Sequence, residues 1–467
     1  MESLSMHTKE YRPYHPRQVL ILPPSLQEWL PEGHLAYFID DLVEHFDLQA
    51  IEERYEDELR GGPPYHPGMM VKLLLYAYCT GVYSSRRIAT HVQEDVAFRV
   101  LAAGNAPDFR TINEFRRRHL EALRGLFRQV LELAQQAGLV QLKHVALDGT
   151  KVRANASKHK AMSYDRLCKE EARLAEAVAE MFRRAEAVDA AEDAEYGPDR
   201  RGDELPEELR HHESRLRKIR EAKAVLDANA KAKAERQRAE QAAKAAQAAA
   251  AGRKPRPAKP PRETPEERMQ YNFTDPESHI MKNADGAFVQ AYNAQVAVDA
   301  AHQIIVAADV TAQPADAPQL VPMATAIAAN TGQAPARLSA DAGYFSEANV
   351  TAEQIQAIDL YIATGKVNHG TPVPPAPRGR MPAALSVKER MQRKLRTKAG
   401  HAVYRLRKAI VEPAIGQIKG ARGFTRFLLR GHVKARGEWS LVTTAHNICR
   451  LFAARPRVDA VLRPATG

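Results

Sequence analysis

The sequence is poor in cysteine and lacks a long apolar run. The three cysteines, Cys79, Cys168 and Cys449, are far apart and never form a CxxC spacing. A disulfide scaffold and a zinc ribbon are therefore excluded, and the low count fits a reducing cytosol. The first residues, MESLSMHTKEYRPYHPRQ, lack the apolar core of a signal peptide, and no apolar run is long enough to span a bilayer. We expect a cytoplasmic protein without a membrane partner.

Motifs of two large enzyme classes are also missing. The sequence contains neither an HExxH motif nor a glycine-rich phosphate loop, so a metalloprotease or a kinase finds no support. Charge, in contrast, is unbalanced: 68 Lys and Arg residues against 57 Asp and Glu residues leave a formal net charge of +11. Such a basic chain commonly binds nucleic acid and less often an anionic membrane surface, although a merely soluble basic protein has the same composition.

Residues 1–140 are predicted to form an all-α domain. The stretch HLAYFIDDLVEHF, from His34, places its apolar residues at helical spacing. In PDFRTINEFRRRH, Thr111 is followed three residues later by Glu114, and this capping box predicts the start of a long helix. Arginines near helix starts suit contacts to DNA phosphates, and the candidates are Arg110, Arg116 and Arg117. The alternative interpretation is an ordinary solvated helix face.

The rest of the chain is predicted to be a mixed α/β domain with a long insertion. Residues 141–163 and 271–455 alternate strand-like and helical stretches, in the order expected of a mixed sheet. Residues 164–270 differ: they are rich in Ala, Glu, Lys and Arg and carry an apolar stripe at heptad-like spacing. This pattern predicts two long helices in a coiled-coil hairpin, followed by the flexible basic linker GRKPRPAKPPRETP.

Two strand-like stretches run directly into an aspartate. HVALDGTKVRANAS contains Asp148, and RLSADAGY contains Asp341. Aspartate is rare in strands, and a buried unpaired charge costs several kcal/mol. Two such strand ends in one sheet therefore predict a cation site. For a single example the simpler interpretation is a turn or cap residue, as we expect for Asp299 in a hairpin turn.

A third acidic candidate lies in the C-terminal stretch YRLRKAIVEPAIGQIKGARGF. Glu412 is the only carboxylate in this apolar, basic segment, and Lys419 follows seven residues later on the same helical face. A carboxylate for a metal and a lysine for a phosphate suit a nucleic-acid strand lying along that face. Proline disfavours helix for the residue before it, so Pro413 predicts a kink or a restart after Glu412.

These motifs together resemble the DDE transposases of bacterial insertion sequences, in the branch with a Tyr–Arg–Glu–Lys tail signature. The resemblance rests on PDFRTINEFRRRH, VALDGTKVRANAS, LSADAGYFS, EPAIGQIK and FLLRGHVKARGEWSLVTTAHNICRLF, in that order. One motif would be weak, whereas several in the family's order and spacing are specific. One departure concerns the arginine: four residues separate Arg407 from Glu412 instead of the three of the signature, so Arg405 or Lys408 are alternatives for its role.

The resemblance implies a ribonuclease H-like catalytic domain. It assigns Asp148, Asp341 and Glu412 as catalytic ligands of two Mg²⁺ ions, for which Mn²⁺ would substitute, and Tyr404, Arg407 and Lys419 as DNA contacts. The implied partners are the terminal inverted repeats and target DNA, bound by a homodimer in the nucleoid. The expected activity is DNA strand cleavage followed by strand transfer. The alternatives are a structure-selective nuclease of the same fold and a DNA-binding protein with an inactive site.

Overall fold

The computed structural model describes residues 25–56, 64–157, 160–196, 207–250, 252, 254, 257–283, 286–365, 375–382 and 384–463. The chain divides into two compact units, Met1–Arg118 and His119–Gly467. No helix among the described residues combines the length and the apolar character that a membrane crossing requires.

The first unit consists of helices, as the sequence predicts. After a 3₁₀ turn at Leu26–Trp29, its helices are α1 (Leu35–Glu44), α2 (Gln49–Glu56), α3 (Pro67–Cys79), α4 (Ser85–Glu94), α5 (Val96–Leu101) and α6 (Phe109–Arg118). Each amphipathic helix turns its apolar stripe inward, and the core contains fully buried Phe38, Leu42, Leu74, Phe98 and Ile112. Helix α3 is buried along nearly its whole length, which explains its long apolar run MMVKLLLYAYC.

The start of α6 differs from the predicted capping box. The helix begins at Phe109, and the Asp108 carboxylate accepts a hydrogen bond from the Thr111 amide at 2.7 Å. Asp108 is therefore the cap, whereas Glu114 pairs with Arg117. The prediction was wrong because aspartate and threonine are both good caps, and only the backbone geometry decides between them.

The second unit begins with a helix that the sequence assigned to the first. Its helices are α7 (Leu120–Gln136), α8 (Tyr164–Tyr196), α9 (Glu207–Ala250), α10 (Leu320–Thr331), α11 (Glu347–Val350), α12 (Val387–Arg396), α13 (Lys398–Gly416), α14 (His432–Ala453) and α15 (Arg455–Leu462). Helix α7 packs against α14, where a Cβ at Gly437 would lie 2.4 Å from the Leu120 side chain. This close contact packs α7 within the second unit.

A six-stranded mixed sheet forms the centre of the second unit. The described strands of this unit are β1 (Val145–Arg153), β2 (Ala161–Ser163), β3 (Gln270–Asn272), β4 (His279–Lys282), β5 (Phe288–Asp299), β6 (Ile305–Thr311), β7 (Arg337–Ala340) and β8 (Asp359–Ile362). Strands β2 and β3 form a separate two-stranded sheet, and the other six form the central sheet. The order is β4–β5–β1–β7–β8, and β6 also pairs with β5. Strand β1 is antiparallel to β5 and parallel to β7, which is parallel to β8. Helices α10, α13 and α14 pack against this sheet.

The β5–β6 hairpin agrees with its prediction. Asp299 lies at its turn, where its carboxylate accepts hydrogen bonds from the amides of Leu142 and Ala301 at 2.7 and 2.9 Å. It is a buried turn residue that also ties the entry to β1, and burial raises its pKa.

The insertion contains two long helices that lie antiparallel. Arg215 pairs with Glu170, and the Tyr164 hydroxyl donates to Asp227, so residues advance along α9 as they recede along α8. Between the helices lies a narrow buried row of Leu167, Leu174, Leu216, Ile219 and Leu226. The predicted break at residues 197–206 lies outside the described residues. At the base, β2 pairs with β3, so both ends of the insertion return to the same place.

This closed base predicts that the insertion is dispensable for folding of the sheet. Replacing residues 166–266 with a short Gly/Ser linker keeps β2 and β3 and the hydrogen bond from the Tyr164 amide to the Met269 carbonyl. Because the insertion has its own core, we expect the melting temperature of the remaining protein to change by less than about 4 °C. Differential scanning calorimetry measures this. Loss of the cooperative transition would show that the insertion belongs to the core of the sheet unit.

Candidate active site

The two aspartates predicted at strand ends are neighbours in the sheet. The parallel pairing of β1 with β7 ends at Leu147 and Ala340. Asp148 and Asp341 are the residues that directly follow this paired segment on each side. Strand β1 does not end there, contrary to the prediction, because its pairing with β5 continues to Arg153. The carboxylates therefore lie where β1 and β7 separate. This opening depends on the pairing of both strands and does not follow from the end of one strand.

The environment of Asp148 is unfavourable for its charge. Burial raises the pKa of the Asp148 carboxyl, and the neighbouring Asp341 raises it further, whereas Arg407 opposes both effects. The Arg407 guanidinium donates to Asp148 Oδ2 at 3.0 Å, with side-chain exposures of only 10% and 20%. This ion pair favours the charged form of Asp148. Within the described part of the chain, the Asp341 carboxylate accepts a hydrogen bond only from the Gly343 amide in its own turn.

Helix α13 brings the tail residues to the site in part. Arg407 is buried on its inner face, and Tyr404, one turn earlier, interacts electrostatically with Arg407 and both aspartates. Burial raises the pKa of the Tyr404 hydroxyl. The alternatives Arg405 and Lys408 are exposed, so Arg407 is the arginine that contacts Asp148 despite its shifted spacing.

Lys419 contacts β1 two and three residues after Asp148. Helix α13 continues through Pro413 without the expected restart, and a π-helical turn, Gln417–Ala421, follows it. From this turn the Lys419 ammonium donates to Thr150 Oγ1 and to the Lys151 carbonyl, both at 3.0 Å. Short π segments often occur at functional sites because they redirect side chains.

Glu412 is not gathered with the two aspartates. Its side chain is exposed on α13, with no hydrogen bond or ion pair to the described part of the chain. Among the described residues, no three His, Cys, Asp or Glu side chains are spaced closely enough to hold a metal ion. Asp148 and Asp341 nevertheless fit a divalent cation, since carboxylate oxygens are its preferred ligands and its charge would offset their repulsion.

A third carboxylate, Asp316, adjoins the aspartates and was missed from the sequence. It precedes α10, and its Oδ1 accepts hydrogen bonds from the side-chain amides of Asn293 (Nδ2) and Gln295 (Nε2) at 2.6 and 3.0 Å. The Lys151 ammonium lies 3.4 Å from the same oxygen. In the sequence Asp316 resembles an ordinary turn or cap residue, because β5, β6 and the α10 turn meet only in the folded chain.

The N-terminal arginines have three different environments. Arg116 is buried, with 3% exposure, and donates to the Tyr78 hydroxyl at 3.2 Å and to the Tyr83 carbonyl at 2.9 Å. This burial contradicts the predicted phosphate contact and indicates a packing role. Arg117 is exposed but paired with Glu114. Arg110 is exposed and lies over the Phe109 ring.

Comparison with known families gives two matches. Residues 24–118, which cover the described part of the first unit, match a transposase domain family (DUF772). Residues 380–452, which contain α12, α13 and all but the last residue of α14, match the transposase DDE domain. No curated protein and no solved structure matches the chain significantly.

The two matches agree with the motifs and with the geometry. The second covers Tyr404, Arg407, Glu412 and Lys419, and α13 within it contacts β1 and β7, the strands that lead to Asp148 and Asp341. The match to a transposase domain in the helical unit and the match to a transposase DDE domain near the C-terminus together support an insertion-sequence DDE transposase.

Proposed function

We propose that this transposase cleaves DNA at the ends of its element and joins the freed 3′-OH to target DNA in a metal-dependent reaction. One observation carries the proposal: Asp148 and Asp341 are adjacent where β1 and β7 separate, and Arg407 forms an ion pair with Asp148 there. The mixed sheet, with the first aspartate on its central strand and the second after the parallel neighbour, supports the ribonuclease H-like assignment.

The residues around the site are suited to this chemistry. Two hard cations supplied by Mg²⁺, or by Mn²⁺ in its place, would stabilise the attacking and leaving oxygens of a phosphodiester. Asp148 and Asp341 would hold them from the sheet, and the exposed side chain of Glu412 on α13 would approach them by changing its rotamer. Arg407 and Lys419 supply positive charge near Asp148, which suits a DNA phosphate at that position.

We propose further that the first unit recognises the terminal inverted repeats. Arg110 and Arg117 contribute exposed positive charge there, whereas Arg116 supports the helices from inside. An element has two ends, so a homodimer that holds both would synchronise their cleavage. The nucleoid would be its place of action, since its substrate is chromosomal DNA.

The metal-site proposal predicts the effect of three substitutions. We expect Mg²⁺-dependent cleavage of DNA carrying the element's ends to fall by more than about 100-fold in each of Asp148→Ala, Asp341→Ala and Glu412→Gln. The loss of a metal ligand should cost more activity than the loss of a residue that only hydrogen-bonds to a ligand, which costs about 10- to 100-fold. Binding of the ends should persist. Asp359→Asn is the matched control, since Asp359 begins β8 at the opposite end of the parallel strands.

The outcomes separate the competing functions. Near-normal cleavage by one variant would remove that residue from the site. Equal cleavage of unrelated branched DNA by the unsubstituted protein would favour a structure-selective nuclease. If the unsubstituted protein cleaves neither DNA, the chain is a DNA-binding protein with an inactive site.

The DNA-recognition proposal predicts different effects for two arginines of α6: one substitution should change DNA affinity and the other the stability of the unit. Arg110→Ala should weaken binding to the element's ends and reduce the salt dependence by about one phosphate contact, without a change in stability. Arg116→Ala should instead destabilise the first unit by about 2 kcal/mol, because the Tyr78 hydroxyl and the Tyr83 carbonyl lose a buried donor. Fluorescence anisotropy against salt and urea unfolding of the full-length protein measure the two effects. Unchanged affinity with Arg110→Ala would exclude this residue from the interface.

A further inference from the structure

A buried polar cluster lies behind the catalytic aspartates. Side chains alternate along a strand, so Gly149 and Lys151 face the side of β1 opposite to Asp148 and Thr150. On that opposite side lie Asn293 and Gln295, which are fully buried on β5, directly across from Lys151 and Gly149. We define the polar cluster as Lys151, Asn293, Gln295, Asp316 and Tyr344.

Asp316 is the centre of the polar cluster. Its Oδ1 receives the hydrogen bonds of Asn293 and Gln295 and the ion pair with Lys151, whereas the Tyr344 hydroxyl donates to Gln295 Oε1. Burial raises the pKa of Tyr344, and the nearby carboxylates add to this effect, so Tyr344 stays a neutral donor. The carboxylate of Asp316 is thus held from several directions on a half-buried turn.

Two glycines allow Asp316 to approach both catalytic aspartates. A Cβ at Gly149, which follows Asp148, would lie 2.7 Å from Asp316 Oδ1 and 2.5 Å from Gln295 Nε2. A Cβ at Gly343, two residues after Asp341, would lie 3.2 Å from Asp316 Oδ2 and 3.0 Å from Asp341 Oδ1. One carboxylate therefore packs against the backbone behind each aspartate, and the glycines of the ALDGT and ADAGY motifs have a common steric reason.

Lys151 is the cation that Asp316 restrains. Its ammonium donates a hydrogen bond to the Pro314 carbonyl at 2.9 Å, on the same turn as Asp316. It also interacts electrostatically with the carboxylates of Asp316, Asp341 and Asp148. A lysine is a flexible point charge, so an unrestrained ammonium at this position would be drawn toward the two catalytic carboxylates. There it would compete with a divalent cation for the same oxygens.

We propose that Asp316 is a positioning residue of the active site, which holds the Lys151 ammonium on the face of β1 away from Asp148. From there the ammonium offsets part of the repulsion between Asp148 and Asp341 without occupying the space of a metal ion. This inference rests on the proposed metal-dependent cleavage.

Direct Mn²⁺ binding by the full-length protein, followed by electron paramagnetic resonance, tests the inference without an activity readout. Asp316→Asn keeps the shape of the side chain and removes its charge. We expect it to weaken Mn²⁺ binding by about 10- to 100-fold, the range for partners that position metal ligands. The double variant Asp316→Asn with Lys151→Met should bind Mn²⁺ within about twofold of Lys151→Met alone, because no ammonium is left to compete.

The controls distinguish this inference from a structural effect and from failure of the proposed function. Asp359→Asn removes an aspartate that also pairs with a lysine, Lys394, and should bind Mn²⁺ like the unsubstituted protein. Unchanged binding with Asp316→Asn overturns the inference, and so does a double variant that stays as weak as Asp316→Asn, since packing would then be the cause. If Asp341→Ala binds Mn²⁺ as well as the unsubstituted protein does, the proposed metal site itself is wrong.

Discussion

The repulsion between two adjacent carboxylates organises the second unit. Asp148 and Asp341 lie next to each other because β1 and β7 run parallel up to the residue before each of them and then separate. Desolvation and the charge of Asp341 both oppose the charged form of Asp148, and the ion pair with Arg407 favours it. A folded protein keeps such an arrangement where function requires it, because apolar residues in the same place would be more stable.

The positive charges around these aspartates come from separate parts of the chain. Arg407 reaches Asp148 from α13, Lys419 binds β1 from the π-helical turn, and Lys151 lies on the opposite face under the control of Asp316. Each ammonium or guanidinium is tied to a defined oxygen, so the charge is distributed around the carboxylates and not between them. This distribution leaves the opening of the two strands to an incoming cation or phosphate.

The long insertion is compatible with this site because it closes on itself. Strands β2 and β3 pair at its base, and α8 and α9 share a buried row of leucines and one isoleucine. The entropy of closing a long loop grows only slowly with its length, so an insertion whose ends are already joined adds little cost to folding of the sheet. Function can therefore be added there without a change in the position of Asp148.

The sequence by itself determined the local elements and the chemistry of the motifs. Helical spacing predicted the first unit and the two long helices, and the strand pattern predicted β1, the β5–β6 hairpin, β7 and β8, because these signals repeat every two or three to four residues along the chain. The residues Asp148 and Asp341 were recognisable since a charge next to an apolar strand is locally anomalous.

Tertiary structure alone decided which side chains meet. Arg116 was expected on a surface and is buried, because its partners Tyr78 and Tyr83 lie on other elements of the unit. Asp316 gave no local signal, and its place beside Gly149 and Gly343 depends on the register of β1 with β5 and on the turn before α10. Such contacts join residues far apart in sequence, and periodicity along the chain carries no information about them.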